Sequence, residues 1–177
     1  MYKEFRLTGS GGQGVILMGI ILAEAAVAKG LQALQSQSYG PEARGGASQC
    51  EVIISAQPID FPKVREPDFL LALTQDGADK YARNLSEECV AIFDAGIDIP
   101  ENLGTEKVYT YPIIETARLE LGKTIVSNII TLGVLCALTD IFTREELLGA
   151  ILARVPKGSE VLNERAFDAG IKLVRGA

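Results

Sequence analysis

FRLTGSGGQG, from Phe5 to Gly14, runs without a break into the apolar stretch VILMGIIL that begins at Val15. The order is strand, glycine-dense turn, helix. In such a turn the backbone amides point inward, and the positive end of the helix dipole favours a phosphate or carboxylate resting against them. Gly9, Gly11 and Gly14 fit the dinucleotide spacing GxGxxG, and Gly12 and Gln13 complete the turn as candidate ligand-binding residues. A nicotinamide-dinucleotide unit also needs an acid about 20 residues further on to hold the ribose hydroxyls. That position falls at Leu34, Gln35 and Ser36, with no Asp or Glu between Leu31 and Gly40. A plain NAD site is therefore disfavoured. The alternatives left open are an anion cradle and a turn whose glycines serve only close packing.

A second glycine-rich segment, SYGPEARGGASQ, lies at Ser38 to Gln49. Gly40, Gly45 and Gly46 permit close backbone approach, Pro41 stiffens the turn, and Glu42 and Arg44 project long charged side chains from it. Arg44 beside two glycines suits a bidentate grip on a phosphate or carboxylate. The plainer reading pairs Glu42 with Arg44 on a solvated loop. Ser38 and Tyr39 enter the segment and complete the candidate binding set. In a parallel sheet the loops leaving strands one and two gather on one edge, so both glycine loops are expected to face one crevice.

Working outward, the first helix is predicted from Val15 to Lys29 with Gly30 at its end. A short strand follows near Leu31 to Leu34, then a polar loop from Gln35 to Ser48. Cys50 to Ser55 returns to strand, and the turn-rich AQPIDFP suggests a hairpin-like excursion beside it. Asp68 to Thr74, Val90 to Asp94 and Val108 to Tyr111 read as strands. The first of these is so uniformly apolar that its sheet must be covered on both faces. Asp76 to Asn84 reads as helix. Beyond Ile113 the chain turns helical, with segments at Ile114 to Leu121, Val126 to Leu138, a helix opened by a Thr143/Glu146 capping box, and Leu162 to Val174. The expected fold is a single-domain, three-layer α/β/α sandwich over residues 1–177, with a mainly parallel, mixed sheet and a helical C-terminal third. Helix Val126 to Leu138 is too apolar to face water and must lie under another helix or in a subunit interface.

Composition narrows the chemistry. Hydrophobic residues make up 47% and charged residues 23% of 177, the profile of a globular protein rather than a disordered one. The net charge of −6, with basic residues scattered singly, argues against nucleic acid as a partner. No apolar run reaches membrane-spanning length and the N-terminus has no signal-peptide core, which places the chain in the cytoplasm. Cys50, Cys89 and Cys136 are far apart and read as buried small residues rather than as disulfides or metal or cluster ligands. With no histidine in the sequence, the commonest general base is missing.

GSGGQG opening a helix, followed by QSYGPEARGGASQCEVIIS, resembles the gamma subunit of the 2-oxoacid:ferredoxin oxidoreductases, the counterpart of the gamma domain of pyruvate:ferredoxin oxidoreductase. The likeness continues through Asp68 to Leu73, Val90 to Asp94 and the helix around Asn128 to Gly133. The form YGPEARGG is most similar to the 2-oxoglutarate-acting branch. The resemblance implies a subunit of a complex that oxidatively decarboxylates a 2-oxoacid, makes the acyl-coenzyme A and passes electrons to ferredoxin. It implies coenzyme A at a shared site, with thiamine diphosphate, magnesium and iron–sulfur clusters on alpha, beta and possibly ferredoxin-like delta subunits. The sequence agrees with that division of labour, since its only AspGly pair is Asp76–Gly77, it has no AsnAsn, and no cysteines are spaced for a cluster. No residue stands out as a catalytic acid or base. A free-standing nucleotide- or NAD(P)-dependent enzyme and a purely structural subunit are the competing readings.

Overall fold

The structure, a computed structural model, describes residues 1–39 and 46–176. Its centre is a six-stranded sheet of order β2-β3-β1-β4-β5-β6. The strands are β1 (Tyr2–Ser10), β2 (Gln32–Tyr39), β3 (Ala47–Ser55), β4 (Phe69–Ala72), β5 (Val90–Asp94) and β6 (Val108–Tyr111). β1, β4, β5 and β6 pair in parallel, whereas β3 runs antiparallel to both of its neighbours. The helices are α1 (Val15–Ala28), α2 (Gln75–Tyr81), α3 (Ile113–Leu119), α4 (Ser127–Leu138), α5 (Arg144–Arg154) and α6 (Glu160–Arg175).

Alternation along the strands sorts the two faces. Phe5 and Leu7 of β1, with Cys50, Val52 and Ile54 of β3, turn toward α1 and the C-terminal helices and form the larger core. Leu70, Ala72, Ala91 and Phe93 turn the other way, onto Ala78 and Ala82 of α2 and its flanking loops. The sheet is thus covered on both faces, which is why β4 and β5 carry no polar alternation. On the second face Arg6 and Glu51 sit directly opposite each other in the β1–β3 ladder and pair at 3.0 Å.

Two expectations are corrected. Where it is described, the polar loop predicted over Gln35 to Ser48 is mostly strand, because β2 extends to Tyr39 and β3 begins at Ala47. β2 is an edge strand, so its QSQSY sequence needs no apolar face to be held by β3. The hairpin-like excursion at AQPIDFP forms no strand among the described residues. Instead the chain from Ala56 to Asp68 loops round the start of β1, so that β4 can join β1 on the side away from β3. Glu4 fastens this crossover, its carboxylate accepting from Arg65 N at 3.0 Å and Glu66 N at 3.1 Å. Asp68 completes the clasp, accepting from Glu4 N at 2.8 Å and from Lys3 Nζ at 2.7 Å.

Helix α4 lies under the chain's own helices. A Cβ on Gly133 would come within 2.1 Å of Phe167 O, and one on Gly170 within 1.9 Å of Ile130 O, so α4 and α6 cross backbone to backbone. The Thr143 capping box is present as expected, with Thr143 Oγ1 accepting from Glu146 N at 3.2 Å and Glu146 accepting from Thr143 N at 2.9 Å.

Candidate functional site: the glycine turn between β1 and α1

β1 ends at Ser10 and α1 begins at Val15, leaving Gly11 to Gly14 as the whole turn. The turn closes on itself through Gln13, whose backbone N donates to Ser10 O at 3.2 Å and whose Oε1 accepts from Ser10 N at 2.8 Å. Gly9 leaves the space for that fold-back, since a Cβ there would lie 2.6 Å from Gln13 Oε1. Gln13 and Gly9 therefore build the loop. Gly14 enters α1 in the left-handed region, φ 73° and ψ 23°, which a residue with a side chain adopts only at a cost.

The amides of Gly12, Gly14, Val15, Ile16 and Leu17 have no hydrogen-bond partner among the described residues. No side chain caps α1, and its first turn contains no acid. Uncapped amides at the positive end of a four-turn helix form an acceptor-seeking surface, the requirement for holding an oxyanion.

The residues flanking the second loop reach the same sheet edge, although by a different route from that expected. β2 is parallel to β1 only because the antiparallel β3 separates them, so the end of β2 and the start of β3 both lie beside the glycine turn. Gly11 N donates to Gly46 O at 3.4 Å, and Ser48 Oγ reaches Gly9 O at 3.5 Å. Ser38 is exposed and pairs with Gln49, and Tyr39 pairs with Ser48 in the ladder. Gly40, Glu42, Arg44 and Gly45 lie outside the described residues.

One residue at this edge was not singled out from the sequence. Asn128, in the first turn of α4, packs against Gly14, and a Cβ on Gly14 would fall 2.4 Å from Asn128 Nδ2. The available signal was a polar side chain opening an otherwise apolar helix.

The other chemically suggestive groups are accounted for. Asp94 at the end of β5 is buried, with its carboxylate accepting from Gly96 N at 3.0 Å and from Ile114 N at 2.8 Å, so it caps α3. Burial pushes the thiol of Cys89 up to about 11, and raises those of Cys50 and Cys136 as well, which makes all three poor nucleophiles. A groove of about 480 Å³ bordered by Lys29, Cys136 and Arg144 lies at the far end of α1. Two of its cations are committed, Arg144 to Asp168 and Glu164, Lys29 to Glu146 and Ile141 O. Among the described residues no helix is long and apolar enough to cross a membrane.

Fold and turn together define an α/β/α unit with an uncapped helix start beside the sheet edge. Residues 4–173 match the pyruvate ferredoxin/flavodoxin oxidoreductase family. The 2-oxoglutarate synthase subunit KorC of Methanocaldococcus jannaschii is 46% identical over 99% of this chain and 95% of its own length. The gamma subunit of a keto/oxoacid ferredoxin oxidoreductase from Geobacter sulfurreducens superposes with a TM-score of 0.89 at 43% identity, covering 100% of this chain and 98% of that one. The 2-oxoglutarate:ferredoxin oxidoreductase of Magnetococcus marinus, solved with 2-oxoglutarate, coenzyme A and succinyl-CoA, shares the fold at 22% identity and a TM-score of 0.86, with 99% of this chain matching 31% of that one. The chain belongs to the pyruvate ferredoxin/flavodoxin oxidoreductase family.

Proposed function

We propose that the chain is the gamma subunit of a 2-oxoglutarate-acting 2-oxoacid:ferredoxin oxidoreductase, and that its glycine turn holds a phosphate of coenzyme A. The complex would oxidatively decarboxylate the 2-oxoacid, form the acyl-coenzyme A and pass electrons to ferredoxin. Thiamine diphosphate, magnesium and iron–sulfur clusters sit on alpha, beta and ferredoxin-like delta partners in this reading. The observation that carries it is the end-to-end match to a 2-oxoglutarate synthase subunit at 46% identity. The uncapped start of α1 supports the phosphate role. Gly11, Gly12 and Gly14 supply backbone amides or the conformations that expose them. In this reading Ser38, Tyr39, Gly40, Glu42, Arg44, Gly45 and Gly46 also bind the ligand, with Arg44 supplying a guanidinium.

The test is Arg44→Lys in the reconstituted complex. Lys keeps the charge and loses the planar fork, a change expected to weaken coenzyme A binding about ten- to hundred-fold while assembly survives. Weakened subunit association with unchanged coenzyme A dependence would instead assign Arg44 to a carboxylate on a partner. The isolated chain should be colourless and inactive with any 2-oxoacid, and turnover by the single chain would sink the subunit assignment.

A further inference from the structure

Asn128 combines features that seldom coexist in a residue with only a packing role. It is 5% exposed, and its amide makes no hydrogen bond to any described residue. Yet no side-chain polar atom among the described residues is fully enclosed without a partner. The amide of Asn128 is therefore not sealed away from every partner. Burying most of a carboxamide without a partner among the described residues carries a penalty that an apolar residue at the same place would avoid. Elsewhere in the first two turns of α4, Ile129, Ile130 and Leu132 are buried apolar residues and Thr131 Oγ1 donates to Ser127 O at 2.9 Å.

The direction of the unmet group is fixed by its neighbour. Asn128 Nδ2 lies against Gly14, the residue that leads into α1 and whose own amide has no partner among the described residues. Gly14 has no side chain, so nothing separates the carboxamide from the start of α1. A backbone cradle alone offers donors from one helix only. A carboxamide from a second helix adds a donor from another direction, which suits the three-sided oxygen array of a phosphate better than a planar carboxylate.

We infer that Asn128 is a ligand-binding residue of this cradle, donating through Nδ2 to the phosphate held at the start of α1. The inference rests on the proposed coenzyme A site and adds to it a side chain from α4. It also gives Gly14 a second role, since any side chain there would displace Asn128 from the ligand.

The experiment uses the reconstituted complex and compares Asn128→Asp, Asn128→Ala and Gly12→Asp. Coenzyme A and pantetheine, which carries the reactive thiol without phosphates, serve as alternative acyl acceptors. Asn128→Asp preserves shape and places a carboxylate against the phosphate, so KM for coenzyme A should rise at least about ten- to hundred-fold; Asn128→Ala should raise it less. KM for pantetheine should stay within about twofold of the unaltered complex. If Gly12→Asp raises KM for coenzyme A while both Asn128 variants, folded and assembled, leave it unchanged, the inference fails and the cradle stands. If all three leave it unchanged, the phosphate site itself is wrong. If the Asn128 variants weaken coenzyme A and pantetheine equally, the residue supports the fold of the site rather than the phosphate, and the inference again fails.

Discussion

The two ends of the sheet are built to opposite standards of hydrogen bonding. At the end where β1 begins, Glu4 and Asp68 occupy backbone amides of the crossover: Arg65 N, Glu66 N and Glu4 N all donate to carboxylates. At the end where β1 finishes, the amides from Gly12 to Leu17, apart from Gln13, have no partner among the described residues, and no acid enters the first turn of α1. Both ends consist of irregular backbone around the same strand, and only one is closed. The closed end is held by the protein's own carboxylates, whereas the open end presents donors to any acceptor that meets them.

The comparison is broken most directly at the closed end. Glu4→Ala removes the acceptor of two backbone amides at a buried position, and should lower stability by about 2–4 kcal/mol. Thermal unfolding of the isolated chain measures this. The coenzyme A KM of the assembled complex should not change, because the turn proposed to hold coenzyme A is at the other end of β1. A large rise in KM with little loss of stability would reverse the roles assigned to the two ends.

Gly14→Ala tests the open end and should have an intermediate effect on stability. The left-handed backbone alone costs an alanine about 1–2 kcal/mol. Its Cβ would also have to push Asn128 Nδ2 away from a 2.4 Å approach. The signature is therefore mixed, with a modest fall in melting temperature and a rise in coenzyme A KM. In the Asn128→Ala background the added methyl should cost less, because the crowding carboxamide is gone, and a double-mutant cycle reads that coupling.

This contrast also explains what was legible in the sequence. The β1–turn–α1 unit, β5, β6 and the Thr143 cap could be read because local pattern and final structure agree there. The antiparallel direction of β3 could not, since CEVIIS is a buried strand whichever way it runs. β2 was cut short at Leu34 because Gln35 to Ser38 lie on an edge, where an apolar face is not required. The common edge for the two glycine loops was expected from loops that leave parallel strands, and the flanks of the second loop reach it because β3 is inserted between β1 and β2. Asn128 stayed hidden because its partner, Gly14, is 114 residues away in the chain (128 − 14 = 114) and meets it only when α4 docks on α1.

The smallest effect is expected along the body of α1, between the two ends. Glu24 there pairs with Arg154 of α5, with Arg154 Nε donating at 2.7 Å. The hydrogen bond from Arg154 holds the Glu24 carboxyl below its ordinary value of 4.5. A carboxyl whose pKa is depressed by folding stabilises the protein above the unfolded value, and that contribution is lost as pH falls through the lower folded value. Both side chains are 40% or more exposed, so solvent screens most of the attraction. Glu24→Gln should therefore lower the melting temperature by no more than about 2 °C at pH 7. The difference from the unaltered chain should shrink as pH drops below about 4.5 and vanish once Glu24 is protonated in both states. Coenzyme A binding should be unaffected at every pH where the complex is intact. A pH-independent difference would mean that Glu24 acts through packing of its methylenes on α5, and a change in KM would mean that the tilt of α1, rather than the turn alone, sets the geometry of the cradle.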